Sequence, residues 1–186
     1  MEPVTRVVVT VTFLRMDNVP TETAPPLPNA ARVVRLPAPS VAFYRYLYDT
    51  VGAPHLWWLR RVTPDAELAA LLGMPEISLN VLYVGGEPAG FHELDARPWP
   101  TVNLSYFGLV PEFVGQGLGY PFLRHAVDLV WSQGGKAMTV NTCTADHPRA
   151  LPIYRRAGFR PVRQIREQWD VPLRLGMAIP DALRAG

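Results

Sequence analysis

The 186-residue chain contains a single cysteine, Cys143, so it cannot form an intrachain disulfide. Disulfides are common in secreted domains and rare where thiols stay reduced. The N-terminus also lacks a secretory signal pattern, because the apolar run after Arg6 ends at Arg15 without a small-residue cleavage site. We therefore expect a cytoplasmic protein.

The chain also lacks a long uncharged stretch and a marked charge imbalance. The longest segment free of Asp, Glu, Lys and Arg runs from Pro98 to Pro111, which is too short and too rich in proline to cross a membrane. Eighteen basic residues against 16 acidic residues give a net charge of +2, which is too little for a protein that binds nucleic acid by neutralising phosphates. We therefore expect neither a membrane nor a nucleic acid as partner.

What the chain does contain is an ample apolar fraction and many prolines. Hydrophobic residues make up 48% of the sequence, and the length suits one domain with a sizeable core. Six prolines from Pro20 to Pro39 predict an extended arm, since proline excludes a helix or a central strand. We predict a single domain over 1–186, made of an N-terminal strand (1–15), a Pro-rich arm (18–39), a core (40–171) and a C-terminal tail (172–186).

The spacing of apolar residues and capping signals predicts a mixed α/β order. We expect Val102, Leu104 and Tyr106 to share one face of their strand, and Pro152 to kink its helix. Strands that come first in a group and then alternate with helices imply a mixed sheet with helices on its faces. The predicted elements are strands over 4–14, 77–83, 90–95, 101–110, 137–142 and 162–171, and helices over 41–51, 64–72, 118–133 and 148–157.

A glycine-rich turn, Val114-Gly115-Gln116-Gly117-Leu118-Gly119, lies between a predicted strand and a predicted helix. Backbone N–H groups in such a turn converge, and the start of the helix adds positive potential, so the turn suits an anionic phosphate. The alternative is a tight connection with no ligand. The turn is not a Walker A loop, because Tyr120 and Pro121 follow it, and it lacks the third glycine of a dinucleotide fingerprint.

Two motifs in this order resemble those of the GNAT superfamily of N-acetyltransferases. Gly117 and Gly119 match the signature Arg/Gln-x-x-Gly-x-Gly/Ala, although Val114 stands where Arg or Gln is usual. A second signature, Asn-x-x-Ala-x-x-x-Tyr-x-x-x-Gly-Phe, is similar to the segment over 147–159, in which His147 replaces the usual Asn. The resemblance covers roughly 79–171. It implies a mostly antiparallel central sheet with a splayed pair of strands.

The resemblance implies a coenzyme A thioester, acetyl-CoA, as the co-substrate. Its pantetheine arm is expected along the splayed strand at Phe107, Leu109 and Val110, and Asn141 ends the next strand within reach of the arm. Arg149, Arg155 and Arg156 are candidates for the adenosine 3′-phosphate, or are simply solvated. The expected diphosphate site consists of the backbone amides of Gly115, Gln116, Gly117, Leu118, Gly119 and Tyr120, and His147 completes the set of expected cofactor-binding residues.

Acyl transfer to an amine needs a neutral amine, a donor to the oxyanion and a proton for the departing thiolate. By resemblance, Tyr154 is the general acid, and a backbone N–H near Val110 serves the oxyanion. Asn103 stands where many relatives carry a glutamate, and we predict that Glu93, on the neighbouring strand, is the general base instead. His92 and Asp95 are weaker candidates, and His125 is expected to be solvated.

The acceptor site is expected near four aromatic residues, Tyr44, Tyr48, Trp57 and Trp58, which suit an apolar or aromatic amine but could equally be packing residues. The sequence shows no histidine that would pair with Cys143, so Cys143 is not expected to be a nucleophile. The four histidines show no metal-ligand spacing.

The sequence thus predicts acetyl transfer from acetyl-CoA to the primary amine of a small molecule or peptide, by direct attack in a ternary complex. One alternative is a module of the same fold that binds acyl-CoA without turnover, which the departures at Val114, His147 and Asn103 favour. Another is a nucleotide-phosphate binder. An exposed last strand and the Pro-rich arm could serve a homodimer.

Overall fold

A computed structural model describes residues 2–185, which form a seven-stranded sheet with helices on both faces. The predicted mixed and mostly antiparallel α/β fold is confirmed. None of the helices in these residues is long and apolar enough to cross a membrane. The strands are β1 (Val4–Met16), β2 (Ala31–Leu36), β3 (Ile77–Val84), β4 (Glu87–Asp95), β5 (Thr101–Leu109), β6 (Ala137–Cys143) and β7 (Arg160–Pro172), and the helices are α1 (Val41–Gly52), α2 (Leu59–Val62), α3 (Asp65–Leu72), α4 (Gly119–Ser132) and α5 (Ala150–Ala157).

The sheet has the strand order β2-β3-β4-β5-β6-β1-β7, so the first strand of the chain lies between two of the last. Every neighbouring pair is antiparallel except β5 and β6, which are parallel. That parallel pairing covers four residue pairs, from Thr101 opposite Ala137 to Leu104 opposite Val140. Beyond it the two strands separate, and the predicted splayed pair is confirmed.

The Pro-rich arm is not extended coil throughout, because it contains β2 over 31–36. The strand pairs only with β3 and forms one edge of the sheet. Prolines Pro28 and Pro37 flank the strand rather than interrupt it, so no ladder hydrogen bond is lost. The prediction excluded a central strand correctly and missed the edge strand.

One local prediction was wrong and the premise of a second was wrong, each for an identifiable backbone reason. A register shift pairs Leu94 with Leu104 and Glu93 with Tyr106, so one extra residue, Ser105, bulges from β5. Tyr106 therefore packs on the α1 side of the sheet, whereas Leu104 packs on the α4 side. Helix α5 begins at Ala150, so Pro152 lies in its first turn, where its missing N–H has no intrahelical partner to lose and no kink is required.

Helix α1 begins as predicted, because the Ser40 hydroxyl accepts a hydrogen bond from the N–H of Phe43. The helix packs very close to β5, where a Cβ added at Gly108 would lie 2.4 Å from Cγ1 of Val51. Only a residue without a side chain allows this approach. The contact sets how far α1 stands from the splayed end of β5.

A buried ion pair joins α1, α2 and β4 behind this helix. The Glu93 side chain is 1% exposed, and its Oε2 accepts a hydrogen bond of 2.5 Å from the Tyr44 hydroxyl. Its Oε1 accepts one of 3.0 Å from Nη2 of Arg60, whose guanidinium lies 5.4 Å from the Tyr106 ring centroid. A buried carboxylate is tolerable only when it is paired in this way.

Replacing Glu93 with Gln tests this pair through stability. The amide preserves shape and can still accept from Tyr44, but it leaves the Arg60 charge without its partner. We expect the free energy of unfolding to fall by about 3 kcal/mol in urea titrations. Asp170→Asn is the control, because its ion pair with Arg6 has both side chains more than half exposed and should be worth less than about 1 kcal/mol. Equal losses in the two variants would contradict the assignment.

Candidate active site

Two adjoining clefts open where β5 and β6 separate. One, of about 510 Å³, follows the glycine turn and α5, and we call it the loop cleft. The other, of about 470 Å³, is walled by aromatic residues from β1, β5, β7 and the segment after α1, and we call it the aromatic cleft. Five residues line both and mark the junction: His55, Trp57, Phe107, Asp146 and Tyr154.

The glycine turn presents its backbone to the loop cleft. Gly115 and Gly117 have φ angles of +87° and +77°, a region that residues with side chains rarely adopt. Space is open beside both, since a Cβ at either position would meet no atom within 4 Å. Helix α4 then starts at Gly119 with no side-chain cap, so its first N–H groups are free for an anion.

The predicted turn residues divide into two groups. Gly115, Gly117, Gly119 and Tyr120 line the loop cleft. Leu118 is buried in the core, and the Gln116 side chain donates a 2.8 Å hydrogen bond to the Glu112 carbonyl. The side chains of the second group hold the turn in shape, and only their backbone groups are candidates for contact with a ligand.

Basic groups also line the loop cleft. Arg149 and Arg156 line it, whereas Arg155 does not. The Arg156 guanidinium lies 3.9 Å from the ring centroid of Tyr120, a cation–π contact. His147 also lines the cleft, and its Nδ1 accepts a 3.1 Å hydrogen bond from the N–H of Arg149.

The edge of β5 supplies backbone donors, but not from Val110. The Val110 N–H donates a 2.9 Å hydrogen bond to the Ala89 carbonyl, and Val110 lines neither cleft. The N–H of Val110 itself is therefore already engaged, and an oxyanion donor near Val110 has to come from another residue of β5. Hydrogen bonds alternate along an antiparallel pair, so the N–H groups of Phe107 and Leu109 face away from β4, towards the opening.

Tyr154 lies on α5 at the junction of the clefts and is 5% exposed. Burial raises the pKa of its hydroxyl, and the nearby Asp146 carboxylate raises it further. The phenol is therefore protonated throughout the physiological pH range. A protonated hydroxyl at this position is available to donate a proton or a hydrogen bond into both clefts.

Asp146 is a junction residue that sequence reasoning missed. Its Oδ2 accepts hydrogen bonds from the Thr142 hydroxyl at 2.7 Å and the Cys143 N–H at 2.8 Å. Its Oδ1 accepts a longer one, of 3.5 Å, from the Trp57 indole. The only signal in the sequence was its place directly before His147, the first position of the second motif.

The aromatic cleft contains most of the expected acceptor residues. Tyr48, Trp57 and Trp58 line it, but Tyr44 does not, because it is fully buried beside Glu93. Three aromatic residues were missed: Phe13 on β1, Tyr106 on β5 and Trp169 on β7.

Charge in the aromatic cleft is one-sided. Asp146 and Glu167 line it, and among the described residues that do so there is no Lys or Arg. The Glu167 carboxylate accepts a 2.8 Å hydrogen bond from the Trp169 indole. Asn141, which is predicted to reach the pantetheine arm, lines this cleft and not the loop cleft. A cleft of this chemistry suits a cationic or aromatic ligand.

The residues predicted as bases lie elsewhere. Glu93 lines neither cleft, and both of its oxygens are engaged by Tyr44 and Arg60, so we interpret it as the anchor of Arg60. Asp95 is paired with Arg97. His92 is fully buried on the α4 side, and its Nε2 lies 3.3 Å from Nδ1 of His125, which is half-buried rather than solvated as expected.

The amide and the thiol near the opening are also engaged or buried. Asn103 accepts a hydrogen bond from the Thr139 hydroxyl and donates one to the Ser105 hydroxyl, so it belongs to a polar bridge between the strands. Burial raises the pKa of the Cys143 thiol to about 12, which makes it a poor nucleophile. Within residues 2–185, no three His, Cys, Asp or Glu side chains are grouped closely enough to hold a metal ion.

Comparison with solved structures finds the same fold. The chain has a TM-score of 0.64 and 14% identity to a GCN5-related N-acetyltransferase from Sphaerobacter thermophilus, over 90% of this chain and 53% of that one. It has a TM-score of 0.61 and 19% identity to a putative GNAT-family acetyltransferase from Novosphingobium aromaticivorans, over 88% and 66%. This chain therefore spans about half to two thirds of the length of these two.

A shorter similar structure is an aminoglycoside acetyltransferase from an uncultured soil metagenomic sample, with a TM-score of 0.58 and 16% identity over 69% of this chain and 88% of that one. A comparison with curated proteins finds no significant match. The family model for the acetyltransferase (GNAT) family matches residues 38–159, which include α1, the separating strands β5 and β6, the glycine turn and α5. Because this match covers well over half of the sequence, the chain belongs to the acetyltransferase (GNAT) family.

Proposed function

We propose that the protein transfers an acetyl group from acetyl-CoA to the primary amine of a small molecule, by direct attack in a ternary complex. The observation that carries this proposal is the junction of the two clefts at Tyr154. An acetyl donor bound in the loop cleft and an acceptor amine bound in the aromatic cleft would have their reacting groups side by side at this junction. Two reactants held in this way react as one complex, which removes much of the entropic barrier.

The loop cleft is the proposed site of acetyl-CoA. Its diphosphate would accept hydrogen bonds from the amides of the glycine turn and the first turn of α4, where the helix adds positive potential. Its pantetheine would run along β5 and pair with the N–H of Leu109, which leads the thioester to Phe107. Arg149 and Arg156 are placed for the adenosine phosphate.

The chemistry needs one proton delivered to sulfur. The amine nitrogen attacks the thioester carbon, the C–N bond forms, and the C–S bond breaks as the electron pair moves to sulfur. The nitrogen, cationic after the attack, loses one proton, Tyr154 donates its proton to the departing thiolate, and Tyr154 regains one from solvent. The N–H of Phe107 is the backbone donor best placed for the oxyanion, because it faces the opening beside Tyr154.

The acceptor is proposed to be a cationic or aromatic amine. The Asp146 and Glu167 carboxylates attract an ammonium group, and the Trp and Tyr rings contact its apolar part. One of the similar structures is of an aminoglycoside acetyltransferase. Its name supports a small molecule over a protein as the acceptor of this chain.

The alternative function is binding of acyl-CoA without turnover. The observation that favours it is at Asn103, where an amide engaged with Thr139 and Ser105 stands in place of a family carboxylate. Release of free CoA from acetyl-CoA, measured with a panel of primary amines, separates the two functions. Amine-dependent release supports the transferase, and tight CoA binding with no release for any amine supports the binding module. Competition of CoA against ATP excludes or supports a nucleotide-phosphate binder.

Gly117→Val tests the diphosphate site. A β-branched side chain would occupy the open space beside the turn and would strain a residue with positive φ, so we expect the KM for acetyl-CoA to rise at least tenfold with the fold retained. The matched control is Gly86→Val, in the β3–β4 turn, where φ is +93° and the space is equally open. The proposal fails if the two variants have the same KM.

Tyr154→Phe tests the general acid, since it keeps the ring and removes only the hydroxyl. We expect kcat to fall by about 10²-fold, while the Kd for acetyl-CoA changes little. Tyr46→Phe, on the outer surface of α1 and 50% exposed, is the control and should keep the wild-type rate. A Tyr154→Phe variant with near-wild-type kcat would reduce Tyr154 to a packing residue.

A further inference from the structure

His55 ends the turn Ala53–His55 that follows α1, and no motif in the sequence pointed to it. It is one of the five junction residues, and the only imidazole among them. Of the other four, Trp57 and Phe107 have no basic group, and Tyr154 is protonated. Asp146 already accepts three hydrogen bonds. His55 is therefore the junction side chain best suited to receive a proton.

The backbone on both sides of this imidazole is constrained. Pro54 fixes the backbone before it, and Leu56 after it is 2% exposed. Leu56 has a φ of +55°, which makes it the one non-glycine residue with positive φ in the described part of the chain. Such strain persists only where the surroundings impose it, and it is concentrated at functional sites. Trp57 then packs against Tyr48 and Tyr106, with ring centroids 5.4 Å and 5.0 Å away.

The surroundings of His55 favour a neutral ring. Burial lowers its pKa below the ordinary value of 6.5, and the neighbouring His147, whose ring centroid is 6.0 Å away, acts in the same direction. The Asp146 carboxylate and a hydrogen bond with the Ala145 backbone act the other way, without reversing the shift. The other titratable groups that line the two clefts are Tyr48, Tyr106, Tyr120, Cys143, Arg149, Tyr154, Arg156 and Glu167.

We propose that His55 is the general base of this reaction, an inference that rests on the proposed function. As the amine nitrogen bonds to the thioester carbon, it becomes cationic and loses one proton to a ring nitrogen of His55. The C–S bond breaks, and sulfur takes its proton from Tyr154. The imidazolium returns its proton to solvent and Tyr154 regains one, so the amine and acetyl-CoA become the amide and CoA with no other reactant.

His92 and Glu93 on β4, the other candidate bases, both lie outside the clefts and have partners of their own. His55 reaches the junction from the segment after α1, and Tyr154 reaches it from α5. The proposed base and the proposed acid therefore come from two different elements of the chain.

The test compares His55→Gln with His125→Gln in the full chain. His125 is a half-buried histidine whose pKa is also lowered by burial, but it lies outside both clefts. With a primary alkylamine as the acceptor, we expect kcat of His55→Gln to fall about 10²- to 10⁴-fold and the Kd for acetyl-CoA to stay within about twofold. The control should keep the wild-type kcat.

The pH profile separates a base from a structural role. Neutral His55 is the active form and its pKa lies below 6.5, so wild-type kcat should show, besides the ionisation of the acceptor amine itself, a further acidic limb that falls as the pH drops below that value. His55→Gln should lose this acidic limb. Added imidazole should restore part of the rate in His55→Ala. Normal kcat in His55→Gln, or a reduced kcat with the acidic limb intact, would overturn the proposal.

The test stays decisive if the variants do not fold and if the wild type is inactive. If neither His55 variant folds, the ring is titrated in the wild-type acetyl-CoA complex by NMR, and a His55 pKa more than about one unit from the acidic limb of kcat overturns the proposal. If the wild type itself acetylates no amine, the proposed function fails and His55 loses its role with it. An active wild type with an unaffected His55→Gln variant refutes only the inference about His55.

Discussion

Four residue pairs hold β5 against β6, and beyond Leu104 and Val140 the two strands separate. The separation leaves backbone N–H groups of β5 without a strand partner, and buried backbone donors need one. The bulge at Ser105 directly follows Leu104, the last residue of β5 that pairs with β6. It turns Tyr106 towards α1, while Phe107 faces the opening. Both clefts, and the junction between them, exist because this ladder stops.

The α1 side of the sheet keeps the opening in shape. Gly108 lets α1 approach β5, and a Cβ at Gly52 would lie 2.4 Å from the Cβ of Trp57, so glycine is what makes room for that indole. Trp57 then separates the aromatic cleft from the core beneath it. The buried pair of Glu93 and Arg60 fixes α2 to β4 behind the same wall. The shape of the junction therefore depends on contacts of α1 and α2 that lie outside the junction itself.

The sequence predicted most of the elements, because the strand and helix periods, the glycine stops and the Ser40 cap are local signals. It also located the glycine turn and Tyr154, because these lie in contiguous motifs. It could not locate His55, Asp146, Glu167 and Trp169 as one site, since they come from three separated segments that only the sheet order brings together. It assigned Tyr106 to the wrong face because the bulge leaves no sequence signal, and it chose Glu93 as the base because the partners that engage this carboxylate, Tyr44 and Arg60, come from other elements.

The most direct test of this account is a crystal structure of the protein with acetyl-CoA bound. We predict that the diphosphate oxygens accept hydrogen bonds from N–H groups of the turn over 115–120. The thioester carbonyl should lie beside Phe107, with the sulfur within hydrogen-bonding distance of the Tyr154 hydroxyl and His55 facing the acceptor side. An acetyl group that ends away from the junction, or a diphosphate held anywhere but on the glycine turn, would contradict the account.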